Sequence, residues 1–248
     1  MIKYLFFDIY QTLLDVDVEQ KNFDKAWRVF ENYLIGRKID RTRAAQFRKY
    51  FDEAESKFYA NHDKSLHHHD WIDNIYVVLI KKYKLTISPK EAKSLFWSFR
   101  KESCDFCRIY PGVKETLEKL SQRYILSTAS LAHGSITEIE LEEVGIKKYF
   151  TNLIFTSQVG YRKPARQFFE RALEISGAKA SESMMIGDSL SEDIYGAEQI
   201  GMWTLWIKNP LTVNKTANVI PNCTTEINDF STVETKINNL NEFLSLIR

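Results

Sequence analysis

Hydrophobic positions along this chain fall into two regimes. In the first, short apolar runs with no polar alternation take turns with stretches in which apolar residues recur every three or four positions. Tyr4-Leu5-Phe6-Phe7 is such a run and reads as a parallel strand buried on both faces. After Tyr110-Pro111-Gly112 the alternation resumes: helix 113–122, strand to Ser127, helix to Val144, strand 153–155, helix 165–175, strand to Gly187, helix to Ile200 and strand 202–207. Residues 209–222 read as loop and 233–247 as a closing helix. Strand–helix alternation of this kind implies an α/β fold, a Rossmann-like doubly wound parallel sheet with right-handed crossovers.

The second regime runs from about Asp17 to Cys107, where helical spacing continues without intervening strands. Phe23, Trp27, Phe30 and Leu34 recur at helical intervals, as do Trp71, Ile75, Val78 and Leu79, and Ser88-Pro89 supplies a cap and a first-turn proline for another helix. This stretch is an inserted helical domain of residues 17–107, and residues 1–16 with 108–248 form the core domain. Its aromatics are expected in a core before they are expected at a ligand.

Composition narrows the picture. The 248 residues, 44% hydrophobic, supply one large domain plus an insertion. A net charge of +1 gives no electrostatic case for nucleic acid or an anionic membrane surface. Runs such as Tyr76-Val77-Val78-Leu79-Ile80 are too short to span a bilayer, and Asp8 interrupts the early apolar stretch, against a signal peptide. A cytoplasmic protein is expected, a monomer or homodimer. Cys104, Cys107 and Cys223, an odd set without a repeated pair, read as reduced structural thiols. Adjacent His67, His68 and His69 point in different directions on a helix and read as a solvated helix start.

The candidate chemistry sits at strand ends, where ligands bind in open α/β sheets. Asp8 follows the first strand, with Thr12 four residues on. Ser127-Thr128 closes another strand, Lys163-Pro164 stands at a helix entry, and Gly187-Asp188 ends a third strand with Asp193 five residues beyond. In this order these residues resemble the four motifs of the haloacid dehalogenase (HAD) superfamily, and the insertion resembles its C1-type helical cap. The physical logic stands beside the resemblance. A carboxylate such as Asp8 is a competent nucleophile that divides a substitution into two steps. Lys163 offsets the acidic cluster, while Asp8, Asp188 and Asp193 offer the all-oxygen donor set that Mg²⁺ prefers, completed by water or the Tyr10 backbone carbonyl. Thr12, Ser127 and Thr128 offer neutral donors to a small anionic substrate. Each hydroxyl also has a local use in a turn or cap, and Asp193 at a helix N-terminus.

Where the sequence departs from the family, function stays open. HAD phosphatases usually carry an aspartate two residues after the nucleophile as general acid, and here that residue is Tyr10. Lost acid catalysis, typically worth ~10²–10⁴ in rate, disfavours alkyl phosphates and spares acyl and aryl phosphates. Asp15 and Asp17 read as part of a solvated loop instead. The spelling Asp8-Ile9-Tyr10-Gln11-Thr12-Leu13 is similar to that of L-2-haloacid dehalogenases, which need no metal, and Arg48 is the best match to their carboxylate-binding arginine. Thr128 and Phe169 depart from that pattern, Asp188 supplies a carboxylate that dehalogenases lack, and Gln11 stands where both groups have a small residue. Three readings follow: an Mg²⁺-dependent phosphatase in the lead, a metal-independent dehalogenase, and a binding or regulatory module that has lost turnover.

Overall fold

A computed structural model describes residues 1–17, 21–208 and 224–246. Five parallel strands, β1 (Tyr4–Phe7), β4 (Ile125–Thr128), β5 (Ser183–Gly187), β6 (Trp203–Ile207) and β7 (Thr224–Ile227), form one sheet in the order β4-β1-β5-β6-β7. A separate antiparallel pair joins β2 (Leu14–Val16) to β3 (Cys107–Ile109). Unbroken apolar runs suit strands covered on both sides: Leu5 and Phe7 enter one core with Val113, Leu117 and Val233, while Phe6 enters the opposite core with Phe168 and Phe169. Since β1 lies between β4 and β5, the order in which successive strands are added reverses across it. A crevice opens at the carboxyl ends of these three strands.

Most expected elements are present, with differences that have local causes. Residues 153–155 do not form a strand; Asn152 and Phe155 make only isolated bridges to Ser127 and Ser130 at the sheet's edge. The helix after Lys163-Pro164 begins at Arg166, with Ala165 outside its first turn. A wide turn, Leu190–Ile194, and a short helix, Tyr195–Glu198, replace one continuous helix to Ile200. The closing helix spans Val233–Leu246. The loop expected at 209–222, and Cys223, lie outside the described residues.

The insertion leaves and re-enters through β2 and β3. Asp15 and Asp17 are buried there, not solvated: Arg108 closes on Asp15 at 2.7 Å and the Asp105 backbone N–H donates to Asp17 at 3.3 Å. Helices Arg28–Gly36, Phe47–Tyr59, Trp71–Lys81 and Pro89–Ser103 then build a second core. Phe30 stacks on Phe47 at 4.3 Å, and Trp27 packs against Phe99 at 4.9 Å. Aromatic pairs of this kind add to the area they bury. The Phe23–Leu34 periodicity is divided at Trp27, between short helix Phe23–Ala26 and Arg28–Gly36.

The histidine run also departs from expectation. A helix does start at Trp71, capped by Asp70, yet His69 is buried against Phe58 at 4.1 Å instead of solvated. The preceding segment is hydrogen-bonded to the core: His68 N–H donates to the Gly160 carbonyl at 3.2 Å, and Arg162 N–H donates to the Leu66 carbonyl at 2.7 Å. Asp70 ties the two together, capping Ile72 N–H at 3.2 Å and accepting from Ser135 N–H at 2.9 Å and Ser135 Oγ at 2.7 Å. A single carboxylate thus holds a helix start and an inter-domain contact. Asp70→Ala is expected to lower stability by about 1–3 kcal/mol, read as a fall in urea midpoint, with Asp70→Asn intermediate.

Candidate active site

Asp8 emerges from β1, its backbone N–H held by the Ile186 carbonyl of β5 at 2.9 Å. Asp188 follows the last residue of β5, where Trp206 Nε1 holds its carbonyl at 2.9 Å. Asp193 folds back through the Leu190–Ile194 turn, and Ser189 N–H donates to its carboxylate at 3.1 Å. Gly187 permits that return, because a Cβ there would overlap the Asp193 carboxylate. Ligand atoms of Asp8, Asp188 and Asp193 all lie within 4.8 Å of one another.

Lys163 reaches this cluster from the loop before helix Arg166–Ser176. Its ammonium, almost completely buried, donates to Asp8 Oδ1 at 2.8 Å, to the Ala129 carbonyl at 2.9 Å and to Asp193 Oδ1. Thr12 Oγ1 lies 3.0 Å from Asp188 Oδ1 and 3.4 Å from Asp8 Oδ2. Three acids therefore share one lysine and one hydroxyl. Burial works to lower the Lys163 pKa, but Asp193 and then Asp8 lift it above the usual lysine range. Burial, and then the negative charge of Asp8, push Asp188 up to about 7. The donor set is all carboxylate oxygen and carries excess negative charge, which fits a hard divalent cation such as Mg²⁺.

Other sequence candidates fall elsewhere. Ser127 Oγ is buried within the layers, 3.2 Å from Ser176 Oγ and accepting from Asn152 Nδ2 at 3.0 Å. Thr128 Oγ1 accepts from Ile154 N–H at 2.6 Å. The register pairs Phe7 with Thr128, so the residue level with Asp8 is Ala129, whose carbonyl holds Lys163. Arg48 is on the outside of the insertion, paired with Asp24 at 2.7 Å and lying over Trp27. The structure brings Asp8, Thr12, Lys163, Asp188 and Asp193 together, and does not bring Ser127, Thr128 or Arg48 to them. Gln11 has φ 65°, the left-handed region that favours small residues; its Oε1 accepts from Tyr110 at 3.0 Å.

Tyr10 turns away from the acids. Its hydroxyl bonds Glu140 and, at 2.8 Å, Thr137; Arg100 Nε donates to the same Glu140 at 2.7 Å. Burial, then the charge of Glu140, push the phenol well above its ordinary value. Tyr10 and Arg100 border a cavity of about 340 Å³ between the insertion and the core. Phe23, Trp71, Phe96 and Phe99 line its insertion side. His68 and His133 complete the rim, their rings 4.7 Å apart; burial presses them down to about 3 and about 4. Cys107 begins β3, where the insertion rejoins the core, its thiol pushed up to about 12 chiefly by burial.

A family model described as haloacid dehalogenase-like hydrolase matches residues 2–201. The chain belongs to the haloacid dehalogenase-like hydrolases. Among relatives of this HAD chain are glyceraldehyde 3-phosphate phosphatases of Pyrococcus abyssi, 26% identical over 84% of this chain and 82% of that protein, and of Methanothermobacter thermautotrophicus, 28% identical over 86% and 88%. The fold is also that of a 2-haloacid dehalogenase from Pseudomonas syringae, with TM-score 0.68 and 23% identity over 97% of this chain and all of that one. An HAD phosphatase from Thermococcus onnurineus gives TM-score 0.54 and 24% identity over 96% and 98%.

The acids and lysine that the sequence singled out lie together, whereas Arg100, Glu140, Thr137 and His133, which it did not single out, converge only through packing of the insertion on helix Gly134–Glu143. Arg100 and Glu140 gave no local signal beyond being charges in helical stretches.

Lys163→Met leaves buried Asp8 and Asp193 without their shared cation, and a stability loss of about 3–5 kcal/mol is expected by chemical denaturation without added metal. For Asp188 the folded pKa is raised above the unfolded value, so the native state binds the extra proton and stability declines as pH rises from about 4 through about 7. Asp188→Asn removes that term. In EDTA the variant is expected to gain on the parent as pH rises through this window, with urea midpoints from pH 4 to 8 as the check; added Mg²⁺ should reverse the order at pH 8.

Proposed function

We propose that this hydrolase is an Mg²⁺-dependent phosphatase of small phosphorylated metabolites, with Asp8 as nucleophile. The observation that carries the reading is the buried triad Asp8, Asp188 and Asp193 gathered around Lys163. Unpaired buried acids are costly, and a divalent ion that they jointly hold offsets that cost. Asp8, Asp188, Asp193 and the Tyr10 backbone carbonyl are the residues that would hold it. When bound, the ion supplies charge neutralisation and polarises a phosphoryl oxygen. The phosphatase names of the relatives point the same way.

Asp8 attacks phosphorus, the bond to the leaving oxygen breaks, and water then releases phosphate from the aspartyl phosphate. Lys163 orients Asp8 through their 2.8 Å contact and balances phosphoryl charge. Thr12 fixes the Asp8–Asp188 spacing, and backbone N–H groups after β4 take the donor role expected of Ser127 and Thr128. Residues 17–107 act as the cap that closes over the site, hinged at β2–β3. With Tyr10 engaged by Glu140, no proton reaches the leaving oxygen from that position, so acyl and aryl phosphates are favoured over alkyl esters.

Dehalogenation is the second reading, favoured by Tyr10 in place of the acid. It needs a cation for the substrate carboxylate, and the arginine that lines the cavity is committed to Glu140. One assay separates the readings: acetyl phosphate, phenyl phosphate and 2-chloropropionate, each with Mg²⁺ and with EDTA. Phosphate release that EDTA abolishes is expected, and Asp8→Asn should lower it by ~10³ or more. Metal-independent chloride release would replace this reading with the second.

A further inference from the structure

We infer that the substrate class is an aryl phosphate, a phosphate ester of an uncharged phenol, with the ring held in the cavity between cap and core. The inference rests on the phosphatase reading and narrows it by two independent observations. The first is chemical: position 10 holds a phenol whose hydroxyl is bonded to Glu140 and Thr137, so the leaving group departs as its own anion. Phenoxides tolerate this and alkoxides do not.

The second observation is the shape and charge of the cavity. Tyr10 stands two residues after Asp8, and Leu131, Ala132 and His133 follow Ala129 in the loop beyond β4, so the two loops that carry Asp8 and the Lys163-holding carbonyl also contribute to the cavity lining. Its walls are rings: Phe23 and Phe99 meet edge-on at 5.6 Å, and Trp71 stacks with Phe96 at 6.3 Å. Ile136 completes the apolar wall from the core side. The Arg100 guanidinium is neutralised by Glu140 at 2.7 Å. A carboxylate or second phosphate on the leaving group therefore meets no spare cation from that arginine, while an uncharged aromatic ring gains buried contact on several sides. A small acyl phosphate satisfies the leaving-group chemistry and leaves the aromatic walls unfilled.

The reaction balances without a further reagent. Asp8 Oδ forms a bond to phosphorus as the phosphorus–aryl oxygen bond breaks, phenoxide leaves and takes a proton from solvent, and water cleaves the aspartyl phosphate to give inorganic phosphate and free Asp8.

Steady-state kinetics of the full chain with Mg²⁺ on phenyl, benzyl and acetyl phosphate separate ring recognition from leaving-group chemistry. Benzyl phosphate carries the ring with an alkoxide leaving group: it should inhibit phenyl phosphate hydrolysis with a Ki within ~3-fold of the phenyl phosphate KM, while its own kcat/KM falls by ~10² or more. Acetyl phosphate offers the better leaving group without the ring, and its KM should be at least ~10-fold higher than that for phenyl phosphate. Phe99→Leu, chosen to keep the cap folded, should reduce the preference for phenyl over acetyl phosphate by ~3-fold or more. A KM for acetyl phosphate at or below that for phenyl phosphate overturns the inference and leaves the phosphatase reading standing. Equal kcat/KM on benzyl and phenyl phosphate also overturns it, since a proton donor would then be acting on the leaving oxygen. No EDTA-sensitive phosphate release from any of the three overturns both.

Discussion

One buried lysine holds the catalytic end of this molecule together. Lys163 joins Asp8 of β1 to Asp193 beyond β5 and to the Ala129 carbonyl beyond β4, so three neighbouring strand ends share a single cation. Carboxylates this close and this buried repel one another, and each must be compensated inside the protein or stay protonated. Thr12 and the raised pKa of Asp188 show the residual imbalance. The same imbalance suits the cluster to a divalent cation, whose charge would offset the repulsion among the three acids.

A second polar network governs how the cap meets this cluster. Glu140 of helix Gly134–Glu143 receives both Tyr10 from the loop after Asp8 and Arg100 from helix Pro89–Ser103, so loop conformation and the position of the insertion are linked through one buried carboxylate. The network also gives position 10 its character. A phenol held by a carboxylate is a poor proton donor, and its pKa moves away from neutrality instead of toward it. Farther along the seam, Asp70 and the strand-like contacts of Leu66–His68 with Gly160–Arg162 fasten the cap next to Lys163. Placement of the insertion therefore bears on both the surroundings of Lys163 and the cavity bordered by Tyr10 and Arg100.

The sequence by itself determined the layered core and the acid–lysine cluster. Unbroken apolar runs such as Tyr4–Phe7 and residues 184–187 suit a covered parallel strand, and polar residues at the tips of such strands face the shared crevice. Asp8, Thr12, Lys163, Asp188 and Asp193 are legible for that reason: strand ends in a parallel sheet converge whatever lies between them. Offsets of one or two residues are not legible. Ser127 and Thr128 look like tip residues, yet the pairing of Phe7 with Thr128 places the tip at Ala129, because register is set by neighbouring strands and not by the hydroxyls themselves. Arg48 looked available because an arginine on a cap helix carries no mark of which face it occupies. Tertiary packing alone put it outside against Trp27, put Arg100 inside against Glu140, and turned a histidine run into a buried seam. Such contacts join residues tens of positions apart on different helices. Helical periodicity reports which positions are apolar, but the choice of which buried charge faces which partner depends on how two separately folded layers dock.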